Sequence, residues 1–219
     1  MEEAAEGVVS LESGEIWIEY YSSSHRILLV GEGDFSFSAC LAKAFGSAKN
    51  MIATSYDNLD KLLEKYWSAR IYLDELKSVG CTLLHGINVK DMHEDSFLKA
   101  QRFDRIIFNF PNAGHYSRLH EQYEEVISAR CLLSENGEIH VSHRDDHPYN
   151  NWEICGSAKE RGLIQKEMVE FQKKDYTGYQ NKRGDDIRSN ETFPLGNRSF
   201  NFKFSLSKDL EDIEIFRFT

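Results

Sequence analysis

Short apolar runs alternate with amphipathic segments along most of the chain. Continuous runs such as RILLV at residues 26–30 are typical of strands covered on both faces, whereas apolar residues spaced by three and four indicate helices. The predicted strands are residues 26–30, 50–56, 81–87, 104–110, 138–142, 163–172 and 199–206. The predicted helices are residues 36–46, 58–79, 95–100, 117–133 and 151–162. In the helix over 58–79, the candidate buried residues are Leu62, Leu63, Tyr66, Ile71, Leu73 and Leu76.

The order of these elements predicts the fold class. Strands that alternate with helices form βαβ units with right-handed crossovers, and these build a mostly parallel sheet. No helix separates the last two strands, which favours an antiparallel C-terminal strand. We therefore predict an α/β, Rossmann-like fold with a seven-stranded, mostly parallel sheet and helices on both faces.

Length and charge suggest the domain organisation. The chain has 219 residues, of which 41% are hydrophobic, which fits a single folded domain over residues 15–207. Residues 1–14 are expected to be a flexible acidic leader, and residues 208–219 an acidic tail. Residues 1–20 carry −6 and residues 208–219 carry −2, so only −2 of the net charge of −10 belongs to the remainder. A polybasic nucleic-acid binder is excluded, but a local basic groove is not.

We find no clear targeting sequence and no clear metal-binding pattern in this sequence. We expect no secretory signal, because the N-terminus lacks a basic and an apolar region, and no apolar run reaches the roughly 20 residues of a membrane span. The four cysteines, without any CxxC pair, are expected to be buried thiols. His140 and His143 fall on opposite faces of a strand, so we expect no metal site.

A glycine loop follows the first predicted strand and begins the first predicted helix. Gly31 and Gly33 allow a tight turn and close approach of a ligand. Dinucleotide-binding loops need a third glycine where this chain has Ser36, and carboxylates at Glu32 and Asp34 would repel phosphates. The cationic, phosphate-free S-adenosylmethionine suits the loop better. The predicted cofactor residues of this loop are Gly31, Glu32, Gly33, Asp34, Phe35 and Ser36.

Two further polar residues follow the next two predicted strands. Asp57, at the end of the second strand, is placed to bind the ribose hydroxyls of an adenosine cofactor, or to cap the helix that follows. Asn88, after the third strand, is placed to bind the adenine amino group, or is an ordinary turn residue.

The fourth predicted strand ends in Asn109-Phe110-Pro111, the candidate catalytic element. Open α/β sheets bind ligands at the carboxyl ends of their strands. An Asn-x-Pro sequence there is similar to the (N/D)PPY element of methyltransferases that act on base nitrogens. That similarity implies that Asn109 and the Phe110 and Pro111 backbone position the target base; a plain strand terminator is the alternative.

Several strings in the same order resemble one family. They are ILLVGEGDFSFS (27–38), FDRIIFNFPNAG (103–114), NGEIHVSH (136–143), HPYNNWEI (147–154), YTGYQNKRG (176–184) and ETFPLG (191–196). They are similar to the family of 25S ribosomal RNA (uridine-N3)-methyltransferase-like proteins, particularly its plant members. The resemblance implies a class I methyltransferase fold, S-adenosylmethionine as methyl donor and uridine N3 of large-subunit ribosomal RNA as acceptor.

The chain also departs from the family pattern. Asn112 and Thr177 stand where the family has histidine and proline, and the segment before NGE is shorter than in the family. Asn112 cannot act as a base, so Asp34 and His143 are the candidate proton acceptors. The alternatives are therefore an S-adenosylmethionine-binding module without turnover, or a methyltransferase for a non-RNA substrate.

Two predicted loops, residues 142–152 and 173–186, combine basic and aromatic residues and are candidates for RNA contact. The alternative for each is a solvated loop whose rings pack on the core. The predicted RNA-binding residues are His143, Arg144, Tyr149, Trp152, Tyr179, Lys182 and Arg183. We expect ribosomal RNA or a pre-ribosomal particle as partner and a monomeric protein. The resemblance implies a nuclear or nucleolar location, with the cytoplasm as the alternative.

Overall fold

The computed structural model describes residues 9–12, 14–111, 129–145, 154–160, 162–184, 187–196 and 198–207. The strands in these residues are β1 (Val9–Glu12), β2 (Glu15–Ile18), β3 (Tyr21–Ser22), β4 (Ile27–Val30), β5 (Met51–Ser55), β6 (Thr82–His85), β7 (Phe103–Asn109), β8 (Leu133–Arg144), β9 (Leu163–Glu170) and β10 (Ser199–Leu206). The α-helices are α1 (Ser36–Phe45), α2 (Leu59–Lys65), α3 (Ala69–Ser78) and α4 (Ile154–Glu160). Short 3₁₀ turns occur at Val89–Asp91, Leu98–Ala100 and Lys173–Asp175.

Seven of the strands form one mixed sheet, which confirms the predicted fold class. Its order is β6-β5-β4-β7-β8-β10-β9. β4 pairs parallel with β5, β5 with β6, and β7 with β8. β10 is antiparallel to both of its neighbours, β8 and β9, as the missing helix before it predicted.

The chain divides into two compact units. The first comprises Met1–Asn88 and Gln172–Leu195, and the second comprises Val89–Phe171 and Gly196–Thr219. In the first unit, all four residues of β4 are buried, which explains why the sequence shows a continuous apolar run there. Helix α1 ends at Gly46, whose φ of 69° is the left-handed conformation that glycine adopts without strain. The predicted single domain over 15–207 remains a prediction.

The helix predicted over residues 58–79 is in fact two helices. Tyr66 is extended and almost fully buried, so its backbone ends α2 before α3 begins. The Lys65 carbonyl accepts hydrogen bonds from the side chains of Ser189 and Asn190 instead of continuing the helix. Residues from a distant part of the chain therefore interrupt a segment whose periodicity is helical.

The predicted buried residues of this segment are mostly confirmed. Leu62, Tyr66, Leu73 and Leu76 are buried, and Leu63 is half-buried. The prediction that Ile71 is buried is wrong, because 68% of its surface is exposed. The break at Tyr66 shifts the helical register that had placed Ile71 on the buried face.

A small antiparallel sheet precedes the main one. β1 pairs with β2, and β2 pairs with β3, within the first unit. Val9–Glu12 therefore belongs to a strand, which corrects the prediction of a flexible leader for that part of residues 1–14. Residues 1–8 and the predicted tail, 208–219, lie outside the described residues.

In the second unit, β8 is longer than the strand predicted over 138–142. It extends back to Leu133 through Gly137, where a Cβ would lie 2.5 Å from the Phe103 carbonyl oxygen. Glycine thus permits the close pairing of β7 with β8. The helix predicted over 95–100 is only the 3₁₀ turn Leu98–Ala100. The helix predicted over 117–133 falls mostly outside the described residues.

The cysteine prediction is half correct. Cys40 and Cys81 are buried in the first unit, and burial raises the pKa of each thiol to about 12. Cys131 and Cys155 are exposed, contrary to the prediction. All four are free thiols.

Candidate functional site

The glycine loop leaves β4 and is fixed to β5 by its backbone. The Glu32 N–H donates to the Thr54 carbonyl at 2.8 Å, and the Gly31 N–H donates to the Thr54 hydroxyl at 3.4 Å. Gly31 has a φ of 68°, which favours glycine, and no described atom lies within 4 Å of where its Cβ would be. The loop is therefore held at its start, with open space beside Gly31.

Two carboxylates of the loop cap helix α1. The residue before the helix is Phe35, which has a φ of 66° and cannot cap with its side chain. Asp34 Oδ1 accepts from the Ser36 N–H at 3.0 Å, and Glu32 Oε2 accepts from the Ser38 N–H at 3.0 Å. These donors would otherwise form an anion site. The helix N-terminus is thus satisfied by the loop's own acids, which leaves it poorly suited to a phosphate.

The buried Glu32 has an unusual protonation equilibrium. Burial raises its pKa from 4.5 to about 7, an effect that the Ser38 hydrogen bonds oppose and the nearby Asp34 carboxylate reinforces. The Ser38 hydroxyl donates to the same carboxylate oxygen at 2.8 Å. Glu32 is therefore a structural acid whose charge is costly in this environment.

Tyr66 and Ser68, at the break between α2 and α3, close the other side of the loop. A Cβ on Gly33 would lie 3.3 Å from the Tyr66 hydroxyl oxygen, so the ring packs directly against this glycine. The Ser68 hydroxyl donates to Asp34 Oδ2 at 2.9 Å. With both oxygens bonded and only 2% of its surface exposed, Asp34 supports the loop rather than acting as the proton acceptor considered from the sequence.

Residues 176–184, which we call the closing segment, pack on the beginning of α1. The Gln180 N–H donates to the Ser36 hydroxyl at 2.9 Å, and that hydroxyl donates to the Gln180 carbonyl at 3.2 Å. The Tyr66 hydroxyl donates to the Arg183 carbonyl at 3.0 Å. Ser36, where a dinucleotide loop has glycine, therefore joins the loop to a segment 144 residues away. Sequence spacing gave no signal for this contact.

Tyr179 is almost fully buried against the core, and its predicted contact with RNA is untested and stays a prediction. Only 9% of it is exposed, and its ring packs edge-on to Phe37 with centroids 5.2 Å apart. Burial, together with the charges of Glu32 and Asp34, raises its pKa well above the ordinary value. The alternative considered from the sequence, an aromatic ring packed on the core, is the one observed.

Lys182 and Arg183 are half-buried rather than fully solvated. The Lys182 ammonium donates to the Asn190 carbonyl at 2.7 Å, and Arg183 Nε lies 3.7 Å from a carboxylate oxygen of Glu191. Their predicted role in RNA binding is untested and stays a prediction.

Asp57 follows β5, as predicted, and already has cationic partners. Its carboxylate oxygens lie 3.2 Å from the Lys61 ammonium and 3.1 Å from the Lys65 ammonium. The helix cap is not Asp57 but Asn58, whose side chain accepts from the Lys61 N–H. Asn88 is exposed, three residues after β6. The ribose and adenine contacts predicted for Asp57 and Asn88 stay predictions.

In the second unit, Asn109 ends β7 beside Ser142 of β8. The Ser142 hydroxyl donates to Asn109 Oδ1 at 2.9 Å, which directs the amide. Asn109 Nδ2 is buried, and among the described residues nothing accepts its hydrogens. Because Ser142 binds the amide oxygen of Asn109 and no described residue accepts from Nδ2, this amide is suited to donating to a carbonyl oxygen of a substrate.

Phe110 is held in a conformation that bulky residues rarely adopt. Its φ is 51°, and its N–H donates to the Ser142 carbonyl at 2.9 Å. Its ring packs edge-on against Phe171 with centroids 5.1 Å apart. Such strain is typical of functional sites. Ser142 thus orders both Asn109 and Phe110, a role that the sequence did not reveal, and Pro111 follows half-buried.

His143 is almost fully buried, and its predicted contact with RNA is untested and stays a prediction. Only 4% of it is exposed, on the face of β8 opposite Ser142. His140, on the same face as Ser142, is fully buried and lies 3.0 Å from Glu138 Oε2; burial lowers its pKa to about 4. Arg144 is half-buried, whereas Tyr149 and Trp152 lie outside the described residues.

Neither a metal cluster nor a membrane span is found in the part of the chain that the structure describes. There, no three His, Cys, Asp or Glu residues are grouped to hold a metal ion. None of the helices described is both long and apolar enough to cross a bilayer.

Sequence comparison decides the family. Residues 28–183 match the BMT5-like family, described as rRNA (uridine-N3-)-methyltransferase BTM5-like. The chain belongs to this family. The matched range contains the glycine loop, Asp57, Asn109, Ser142 and most of the closing segment, as the resemblance of the individual motifs indicated.

Two plant relatives are similar over most of the chain. An uncharacterized protein of Arabidopsis thaliana is 44% identical over 85% of this chain and 95% of its own length. The heavy metal-associated isoprenylated plant protein 41 of the same plant is 45% identical over 90% of this chain. The chain spans only 40% of that second relative.

A solved structure supports the fold. The N-methyltransferase NodS of Bradyrhizobium japonicum, in complex with S-adenosylhomocysteine, has a TM-score of 0.52 and 12% identity; the match covers 82% of this chain and 76% of NodS. The chain therefore belongs to a methyltransferase family and has the fold of S-adenosylmethionine-dependent methyltransferases. The loop fits that donor, because Gly31 leaves open space while the loop carboxylates cap the helix end that would otherwise attract phosphate.

Proposed function

We propose that this protein methylates N3 of a uridine in ribosomal RNA. The observation that carries the proposal is the Asn109 amide, whose oxygen is bound by Ser142 and whose buried Nδ2 has no acceptor among the described residues. Uracil N3 lies between two carbonyl oxygens, so an amide N–H donor can bind either of them. The family description supports the same substrate.

The chemistry of the reaction explains why a hydrogen-bond donor is needed beside the target base. N3 of uracil must lose its imide proton to solvent water before its lone pair can attack carbon, and the negative charge then spreads onto the flanking oxygens. The Asn109 N–H stabilises that charge and orients the base, as preorganised donors do in other enzymes. When bound, S-adenosylmethionine would supply the electrophilic methyl group to N3 and leave as S-adenosylhomocysteine.

The first unit of the protein has the donor-binding role in this proposal. The glycine loop, Asp57 and Asn88 hold the donor, with the carboxylate of Asp57 on the ribose hydroxyls and the Asn88 amide on adenine. The Asp57 side chain is 10% exposed and has two lysine partners, which hold its carboxylate in place after β5.

The proposed partner is ribosomal RNA, free or within a pre-ribosomal particle, and the proposed location is the nucleolus. The target base must be unpaired or flipped out, because N3 of a paired uridine is hydrogen-bonded inside the helix.

Transfer of labelled methyl groups to ribosomal RNA tests the proposal. We expect incorporation as 3-methyluridine by the wild-type protein, and a loss of about 100-fold or more for Asn109→Ala. Asn109→Asp should lose as much, because a carboxylate repels the imide anion. Asn50→Ala, which removes an exposed side-chain hydrogen bond to the Ser23 carbonyl, is the matched control and should leave transfer unchanged.

Donor binding measured by calorimetry separates the possible outcomes. The variants at Asn109 should bind S-adenosylhomocysteine as tightly as the wild type. Tight binding without any incorporation by the wild-type protein would favour a binding module without turnover. Incorporation that survives Asn109→Ala would remove Asn109 from the mechanism.

A further inference from the structure

Exposed apolar side chains occur on both chain segments that meet at the break between α2 and α3 in the first unit. Trp67 is 83% exposed, Ile71 is 68% exposed, and Ile187 is 94% exposed. Arg70 and Arg188 are exposed beside them in the sequence. We call these five residues the Trp67 surface. A tryptophan with so much of its ring in water is unusual, because the ring is large and apolar.

Asn190 fixes the backbone under this surface. Its Oδ1 accepts from the Trp67 N–H at 3.0 Å, and its Nδ2 donates to the Lys65 carbonyl at 2.9 Å. The Asn190 carbonyl accepts from the Lys182 ammonium at 2.7 Å. One residue therefore joins the backbone of Trp67 to a cation from another part of the chain.

These contacts identify a different aromatic residue as the exposed ring near the basic residues of the closing segment. The sequence paired Lys182 and Arg183 with Tyr179, but Tyr179 is buried. Trp67 is the exposed ring linked to Lys182 through Asn190. The Trp67 backbone and the Lys182 ammonium therefore contact the same residue, which places an exposed aromatic residue and a cation on neighbouring parts of the first unit.

The local charge also favours an anionic partner. Residues 65–71 and 182–191 together contain five basic and three acidic residues, whereas the whole chain carries −10. A local excess of positive charge in an acidic protein is the pattern expected where a polyanion binds.

We propose that the Trp67 surface binds single-stranded RNA, with one base stacked on the Trp67 ring and phosphates near Arg70, Lys182 and Arg188. The inference rests on the proposed function, since it names a docking surface for the same RNA substrate. Stacking accepts any base, so the surface adds affinity without selecting the methylated position.

Fluorescence anisotropy with a labelled, uridine-rich single-stranded RNA tests the surface. Trp67→Ala should weaken RNA binding by roughly 10-fold, the loss expected for one stacked base. Trp67→Phe, which keeps a ring, should recover most of the affinity. Phe97→Ala is the control, because Phe97 is a 44% exposed aromatic of the second unit, outside the Trp67 surface. S-adenosylhomocysteine binding should be the same in all three variants, which shows that they are folded.

The outcomes distinguish this inference from the proposed function. Equal RNA affinities for Trp67→Ala and the wild type would overturn the inference and leave the methyltransferase proposal standing. A change in self-association by light scattering, with RNA affinity unchanged, would show that the surface packs against protein and would also overturn it. If the wild-type protein neither binds nor methylates ribosomal RNA, the proposed function itself fails.

Discussion

Glu32 uses its carboxylate to hold the glycine loop together. It accepts two hydrogen bonds from Ser38, from the backbone at 3.0 Å and from the hydroxyl at 2.8 Å, while burial raises its pKa to about 7. From the sequence this acid was predicted to repel phosphate and to belong to the cofactor-binding loop. The structure adds that it occupies the helix N–H that a phosphate would need.

The raised pKa of Glu32 predicts a pH-dependent stability. Folding favours the protonated form, so the contribution of Glu32 is fully present below about pH 4.5 and is lost as the pH rises to about 7. Glu32→Gln keeps an acceptor for Ser38 but cannot ionise. Its free energy of unfolding should therefore exceed that of the wild type by up to about 3 kcal/mol at pH 8, and by less at pH 5.

Urea unfolding of both proteins between pH 5 and pH 8 measures this difference. Glu64→Gln, on the exposed side of α2, is the control and should show no such trend. A constant difference between Glu32→Gln and the wild type across that range would mean that Glu32 is charged throughout.

Asp57 predicts a second effect at a single residue. Asp57→Ala should weaken S-adenosylhomocysteine binding by about 1–3 kcal/mol, because the ribose hydroxyls lose their acceptor. Lys61→Ala removes one partner of the same carboxylate, but Lys61 is 51% exposed, so its effect should be small. Calorimetry on both variants checks this, and equal affinities for Asp57→Ala and the wild type would contradict the ribose contact.

At the scale of elements, the closing segment joins helix α1 through Ser36. Ser36→Ala removes both hydrogen bonds to the part-buried Gln180 backbone and leaves the Gln180 N–H and carbonyl without that partner. We expect a loss of about 1–3 kcal/mol in unfolding free energy and weaker donor binding. Ser78→Ala removes an exposed hydrogen bond at the end of α3 and serves as the control. Unchanged affinity of Ser36→Ala for S-adenosylhomocysteine would show that the closing segment does not influence the glycine loop.

The elements also show which features of the fold can be predicted from local sequence patterns and which cannot. Strands such as β4 and β10 were predicted because burial on both faces, or strict alternation, leaves a local signature. The break between α2 and α3 was not predicted, because Ser189 and Asn190 cause it from a distant part of the chain. Likewise the glycine loop was found from its own residues, whereas its supports at Ser68 and Gln180 carry no local signal.

At the scale of the whole molecule, the acidic ends shape the expected affinity for RNA. Residues 1–8 contain Glu2, Glu3 and Glu6 and precede β1, so they can be removed without cutting the small sheet. Removing them should strengthen RNA binding by about twofold at low salt, because less negative charge repels the phosphates. The gain should vanish at high salt. Anisotropy titrations at two salt concentrations check this, and a gain that persists at high salt would exclude an electrostatic cause.

The distance along the chain between Ser36 and Gln180 has a consequence for biosynthesis. The two residues are 144 positions apart, so the glycine loop leaves the ribosome long before the segment that completes it. At synthesis rates of roughly 5–20 residues per second, the delay is on the order of ten seconds. During that interval the N-terminal strands and α1 can fold, but the loop lacks the partner of Ser36. The nascent protein thus acquires its finished glycine loop only after Gln180 has been synthesised.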